Sequence, residues 1–107
     1  MDINKNSDLQ IEIQFYDSDG IEIGVPPYDF IFEYYVSSSN KIMASQVNGE
    51  LTNCYKSDGK LYAIFDSPNL DKGSLFCEKT YFVPDGHFPD RIHKIVSKSK
   101  LNYKIVW

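Results

Sequence analysis

Strict alternation of apolar and polar residues is the feature that most constrains this chain. Every second residue is apolar from Leu9 to Phe15, and the same alternation returns between Phe30 and Val36. A period of two is that of a β-strand with one buried face. No window sustains the 3.6-residue period of an amphipathic helix, and the helix-favouring residue alanine occurs only at positions 44 and 63. The sequence therefore predicts an all-β protein.

Turn-forming residues divide the chain into short strands. Asn48-Gly49 is a strong hairpin signal, and the sequence predicts that Leu51 to Tyr55 form the returning strand. Turns recur about every 8–12 residues, a spacing typical of a β-sandwich or small barrel. Long loops alternate with tight hairpins, as Greek-key connections require. We therefore expect one domain over residues 1–107, a single antiparallel sandwich of seven or eight strands, immunoglobulin-like or a related Greek key, with residues 1–7 flexible.

The charge of the chain is unevenly distributed. The net charge is −4, and all 15 acidic residues lie within residues 1–90. The last 17 residues hold only basic charges, at Arg91, Lys94, Lys98, Lys100 and Lys104. This basic end could support head-to-tail association or bind an acidic partner, or its lysines could simply protect a strand edge from aggregation. A pI of about 5.0 disfavours nucleic acid, whose phosphates an acidic chain repels.

The sequence carries no recognisable catalytic signature. It lacks nucleophile-elbow, zinc-protease, phosphate-loop and dinucleotide-binding motifs. Cys54 and Cys77 do not form a C-x-x-C pair, and we expect them to be buried reduced thiols. A disulfide between neighbouring strands and a reactive thiol are the alternatives. We predict that the protein is not an enzyme and uses no cofactor.

Two segments hold possible metal ligands. Asp85, His87, Asp90 and His93 lie within one short stretch, and two histidines with two aspartates could bind a divalent ion. This loop is an alternative functional site, although the sequence assigns it no metal. The segment from Asp17 to Glu22 resembles the start of a calcium loop, but Ile21 interrupts the ligand pattern and favours a hairpin turn.

The aromatic side chains are the main candidates for binding. Eight tyrosines and seven phenylalanines are more than alternating strands would bury on one face. Some tyrosines would then form an outer contact surface, or they would pack between sheets with their hydroxyls at the solvent. The candidate binding residues are Tyr34, Tyr35, Tyr62, Tyr81, His87 and Phe88.

The N-terminal segment is polar, and no stretch approaches the roughly 18 apolar residues of a membrane span. We therefore expect no membrane partner. The sequence predicts a cytoplasmic location in the producing cell, with the virion as an alternative.

Four segments carry a resemblance to a known group of proteins: residues 28–35, 51–54, 66–75 and 83–90. Together they resemble small β-domain proteins of phages and prophages of gut Bacteroidetes. They are also loosely similar to the immunoglobulin-like N-terminal domain of phage baseplate upper proteins. The resemblance covers most of residues 9–92 and implies a role in tail or baseplate assembly, with other protein subunits as partners. It implies no catalytic residues. A small carbohydrate- or protein-binding accessory domain is the alternative function.

Overall fold

The computed structural model describes residues 1–107 and contains eleven β-strand segments. Their bounds are β1 Asp2–Asn4, β2 Leu9–Ile13, β3 Phe15–Tyr16, β4 Glu22–Ile23, β5 Asp29–Tyr35, β6 Lys41–Val47, β7 Glu50–Thr52, β8 Cys54–Ser57, β9 Lys60–Phe65, β10 Gly73–Pro84 and β11 Ile92–Val106. The prediction of an all-β protein is confirmed. The chain contains no helix of the length and apolarity that a membrane crossing requires.

The strands form three sheets. A six-stranded sheet has the order β1-β11-β10-β5-β6-β7, a three-stranded sheet has the order β2-β9-β8, and β3 and β4 form a two-stranded ribbon. The expectation of purely antiparallel pairing is wrong, because β1 runs parallel to β11 with Asp2 opposite Lys104. Ile3 explains this pairing, since its half-buried side chain packs against the core. Residues 2–4, expected to be flexible, are thereby held in the sheet.

One core of 15 buried residues is shared by the two larger sheets. The inward residues of β2 and β9 alternate with exposed or half-buried ones, as the period-two pattern predicts. Across the core, Phe30, Phe32 and Tyr34 of β5 are at most 1 % exposed. The alternating apolar residues of β2 and β5 therefore lie on the strand faces that form the shared core.

Asparagines in the left-handed region shape two of the connections. Asn48 and Gly49 have φ values of 52° and 81° between the paired residues Val47 and Glu50. Positive φ at both central positions is the type I′ turn that Asn-Gly predicts. The expected continuous strand from Leu51 to Tyr55 is interrupted at Asn53, whose φ is 54°. Before Asn53 the chain pairs with β6 in the larger sheet, and after it with β9 in the smaller sheet.

The two longest strands form an arm at one side of the molecule. β10 and β11 pair in uninterrupted register from Phe76 opposite Lys100 to Pro84 opposite Ile92. Residues 97–100 are only serine and lysine, yet they continue the strand, because β10 supplies a partner along this whole segment. The arm accounts for much of the elongated shape, whose principal extents are 47 × 31 × 27 Å.

Candidate interaction surface

The inner face of β10 passes from the core to the solvent along one strand. Leu75 and Cys77 are fully buried on this face. Lys79 and Tyr81, which follow with the same period of two, are only half-buried. The three-stranded sheet therefore covers the start of β10 and leaves the inner face of its second half accessible.

A groove of about 380 Å³ lies where this accessible face meets the β3–β4 ribbon. We call it the tyrosine groove, and its lining residues are Gln14, Phe15, Tyr16, Ile23, Tyr28, Lys79, Tyr81 and Ile95. Tyr16 is 54 % exposed, and Ile23 and Ile95 are each 41 % exposed. At the rim, the hydroxyl of Tyr16 donates a hydrogen bond to Oε1 of Gln14. Accessible apolar side chains thus flank the groove on both sides.

Stacked aromatic rings of the core lie directly beneath the tyrosine groove and contact Phe15 and Tyr81 of its lining. The Phe32 ring lies 5.0 Å from that of Phe30, and Tyr81 meets Phe32 edge-on at 5.6 Å. Phe15 packs against Phe30 at 5.4 Å. Lys79 Nζ lies 5.6 Å from the centre of the Phe32 ring, within the range of a cation–π contact. The lining of the groove is therefore continuous with the core. The contact with Phe32 fixes the position of the Tyr81 ring.

A buried amide holds the loop that brings Tyr28 to the groove. Nε2 of Gln46 donates hydrogen bonds to the backbone oxygens of Pro26 and Tyr28, each at 2.9 Å. Gln46 is 1 % exposed, and its Oε1 is buried without a hydrogen-bond partner. Pro26 and Pro27 have no N–H to donate and so cannot form a strand ladder. The two hydrogen bonds from Gln46 attach this loop to β6 instead.

The structure separates the tyrosines that the sequence grouped as candidates. Tyr34 is 1 % exposed, so its assignment to a contact surface is wrong; its ring packs against Phe65 at 5.5 Å. Tyr35 lies on the opposite face of β5 and stacks on Phe76 at 5.9 Å. Tyr62 lies on the outer face of the three-stranded sheet, stacked on Tyr55 at 5.2 Å. Of these four candidates, only Tyr81 lines the tyrosine groove.

The other two predicted binding residues, His87 and Phe88, lie at the tip of the arm. The ring of Phe88, which is 41 % exposed, stacks on that of His93 at 4.9 Å. Nδ1 of His87 lies 2.7 Å from Oδ1 of Asp85. Hydrogen bonds from the backbone N–H and the ring of His87 hold the pKa of Asp85 below its usual value. The tip is therefore a local cluster, separate from the tyrosine groove.

The predicted metal ligands of this loop act as turn acceptors. Oδ1 of Asp85 accepts from the backbone N–H of His87 at 3.0 Å, and Oδ1 of Asp90 accepts from that of Ile92 at 3.1 Å. Nowhere in the chain do three or more His, Cys, Asp or Glu side chains come together in a way that could hold a metal ion. The alternative of a metal site at Asp85–His93 is not supported by this geometry.

Both cysteines are free thiols. Burial raises the pKa of Cys77 to about 11, and the hydroxyl of Tyr34 lies beside it. The Cys54 thiol donates to the backbone oxygen of Ser45 at 3.4 Å, and burial raises its pKa as well. A raised pKa keeps a thiol protonated at neutral pH and lowers its nucleophilicity.

The buried Cys77 thiol predicts a loss of stability at alkaline pH. Its ordinary pKa of 9.0 is raised to about 11 in the folded chain, so its contribution is complete below pH 9 and is lost as pH rises towards 11. At about 1.4 kcal/mol per pKa unit, the contribution of Cys77 to the free energy of unfolding should fall by about 2–3 kcal/mol. Cys54, Tyr34 and Tyr81, whose pKa values burial also raises, add to the alkaline loss. Urea unfolding at pH 7 to 11 should therefore show a smaller fall for Cys77→Ala than for the unchanged chain. An equally steep curve for the variant would contradict the assignment.

Most of the tyrosine groove was missed from the sequence. Lys79 is the clearest signal that was available, because a charged residue on the face that carries Leu75 and Cys77 marks the point where that face leaves the core. Tyr28 directly follows two prolines, which exclude it from the preceding strand. The meeting of Tyr16, Tyr28 and Tyr81 depends on contacts between distant strands, which strand periodicity does not encode.

No family model matches the chain, and comparison with curated proteins and with solved structures finds no match. The functional assignment therefore depends on the residues and geometry described above.

Proposed function

We propose that this protein is a non-catalytic assembly module that binds other protein subunits through the tyrosine groove. The observation that carries the proposal is the accessible apolar rim, formed by Tyr16, Ile23 and Ile95 over an aromatic base. Aromatic residues such as tyrosine are enriched in protein interfaces and among the few residues that contribute most of the binding energy. Burial of the Cys77 thiol, which raises its pKa, disfavours a nucleophilic role for that residue.

The resemblance to phage β-domain proteins supplies the biological setting of the proposal. In that setting the partners are subunits of a phage tail or baseplate, and the protein is made in the cytoplasm before it enters the virion. We also propose that the two larger sheets are the layers of a sandwich with immunoglobulin-like or related Greek-key connections. The core that both sheets share supports this finer description of the fold.

Light scattering coupled to size exclusion, over a concentration series, tests the assembly proposal on the purified chain. We expect an average mass that rises above 12.3 kDa with concentration, and a smaller rise for Ile23→Thr at the groove rim. Ile64→Thr is the matched control, because Ile64 is 42 % exposed and Ile23 is 41 % exposed. Equal effects of the two substitutions would place the contact outside the groove. A monomer at every concentration would contradict self-assembly.

Carbohydrate binding is the second candidate function, favoured by the same groove. Three tyrosines, Tyr16, Tyr28 and Tyr81, lie there with the polar side chains of Gln14 and Lys79. Aromatic rings beside a few convergent polar groups are typical of small-molecule sites. Saturable binding on a glycan array, lost in Tyr81→Ala and retained in Tyr62→Ala, would favour this function over assembly.

A further inference from the structure

The arm leaves one long edge of the six-stranded sheet without a partner. β11 pairs with β10 along one side. Along its other side it pairs only with β1, through Lys104, Ile105 and Val106. Residues 92–101 therefore present a row of outward backbone N–H and C=O groups, which we call the free edge. Such a row is a template for the addition of another strand.

The free edge keeps a regular register with β10 from Ile92 to Lys100. The register shifts only between Phe76 opposite Lys100 and Ser74 opposite Lys104, at the C-terminal end of the free edge. The free edge contains no proline. Proteins commonly protect edges by keeping them short or by adding bulges, prolines or lysines. Of these devices only lysines are present here, at positions 94, 98 and 100.

These lysines determine which strand the free edge can accept. They lie on the outer face of the sheet together with Val96, because they oppose Phe82, Glu78 and Phe76 of β10. In a symmetric antiparallel pairing of two free edges centred on Ser97, Lys94 of each copy would oppose Lys100 of the other. Like charges directly opposite one another are destabilising. The lysines therefore disfavour this pairing with a second copy of the chain and favour a strand that carries carboxylates.

Strand addition to this edge already occurs within the chain, at the end of β11. There β1 adds to the same edge with the acidic residue Asp2 opposite Lys104. The backbone N–H of Lys104 donates to the oxygen of Met1 at 3.0 Å, and the N-terminal ammonium of Met1 donates to the oxygen of Asn102 at 2.9 Å. An extended segment with one carboxylate in register with Lys104 is thus accommodated directly beside the free edge.

We propose that the free edge binds an extended acidic segment of another protein by strand addition. Carboxylates at alternate positions of the segment face Lys94, Lys98 and Lys100, while its backbone extends the ladder of β11. Main-chain hydrogen bonds supply affinity in this mode, and alternate side chains supply specificity. The inference goes beyond the proposed function, because it assigns a second contact surface and the chemical class of the partner that this surface binds.

A synthetic peptide tests this inference on the full chain. The probe is a capped heptapeptide in which four glutamates alternate with three valines, titrated into ¹⁵N-labelled protein at low salt. We expect saturable binding, with slowed hydrogen exchange at alternate amides within residues 92–101. Lys98→Glu should weaken binding by about fivefold or more, whereas Lys56→Glu, a reversal at another exposed lysine, should leave it within about twofold.

Two control peptides separate strand addition from simple charge attraction. Replacing the valines by prolines keeps every carboxylate but removes backbone donors, and we expect binding to be lost. Replacing the glutamates by lysines should also abolish binding. Equal binding of the proline peptide would overturn strand addition. Slowed exchange of residues 92–101 that grows with protein concentration, without peptide, would show that a second copy occupies the edge and would overturn the acidic partner.

The two proposals fail separately, because Ile23 lies outside the free edge. Groove-dependent self-association without binding of the peptide would overturn the strand-addition inference alone. Edge-specific peptide binding by a chain that stays monomeric at every concentration would overturn self-assembly alone.

Discussion

Replacing Phe32 by alanine should lower the free energy of unfolding by about 3–5 kcal/mol, the range for loss of a fully buried phenylalanine. Phe32 is 0 % exposed. Its ring lies between those of Phe30 and Tyr81, and Phe15 approaches it at 6.1 Å. The substitution removes the transfer energy of the ring and opens a cavity under the tyrosine groove, because β5 and its neighbours cannot move inward without breaking the sheet.

Denaturant unfolding of Phe32→Ala, with Phe88→Ala as the matched control, measures this effect. Phe88 is 41 % exposed at the tip of the arm, so its loss should cost less than about 1 kcal/mol. A domain of this size has a total stability of about 5–15 kcal/mol, so a loss at the upper end of the expected range would leave a chain of the lowest stability partly unfolded at 25 °C. Phe32→Leu keeps more of the volume and should show a smaller loss in the same direction. A loss below about 1 kcal/mol for Phe32→Ala would contradict the assignment of the buried face.

The faces of the strands could be predicted from the sequence, because burial on a strand follows a period of two. Phe30, Phe32, Leu61 and Ala63 are all buried as the alternation indicates. The Asn48-Gly49 turn was predictable for a local reason, since type I′ geometry requires residues that tolerate positive φ. These features depend on neighbouring residues alone.

The assembly of the strands could not be predicted in the same way. Asn53 lies within the strand that the sequence predicts from Leu51 to Tyr55, and only its left-handed backbone shows that the chain changes sheets there. The pairing of β1 with β11 joins the two ends of the chain, and no local pattern encodes such a contact. Tyr34 is the opposite case: it lies on the same alternating face as Phe30 and Phe32, so the period of two, and not the residue type, predicts its burial.

Replacing Gln46 by glutamate should destabilise the protein by about 3–5 kcal/mol at neutral pH, the cost of an unpaired charge in the interior. Nε2 of Gln46 donates to the oxygens of Pro26 and Tyr28, whereas an ionised carboxylate can only accept. It would place negative charge against two carbonyl oxygens at a site that is 1 % exposed. The loop that carries Tyr28 should then detach, and the tyrosine groove should lose one wall.

The pH dependence of Gln46→Glu distinguishes charge from a general packing defect. Burial would raise the pKa of the new carboxyl above the ordinary value of about 4.3. The destabilisation should therefore be full at neutral pH and should fade as pH falls through the raised pKa, because the protonated acid can again donate to one carbonyl. Gln46→Met, which has a similar volume and no charge, should lose the hydrogen bonds at a cost of about 1–3 kcal/mol without this recovery. Gln14→Glu at the exposed rim should change stability by less than about 0.5 kcal/mol. A pH-independent loss for Gln46→Glu would mean that packing, and not the two donated hydrogen bonds, is what this residue contributes to the groove.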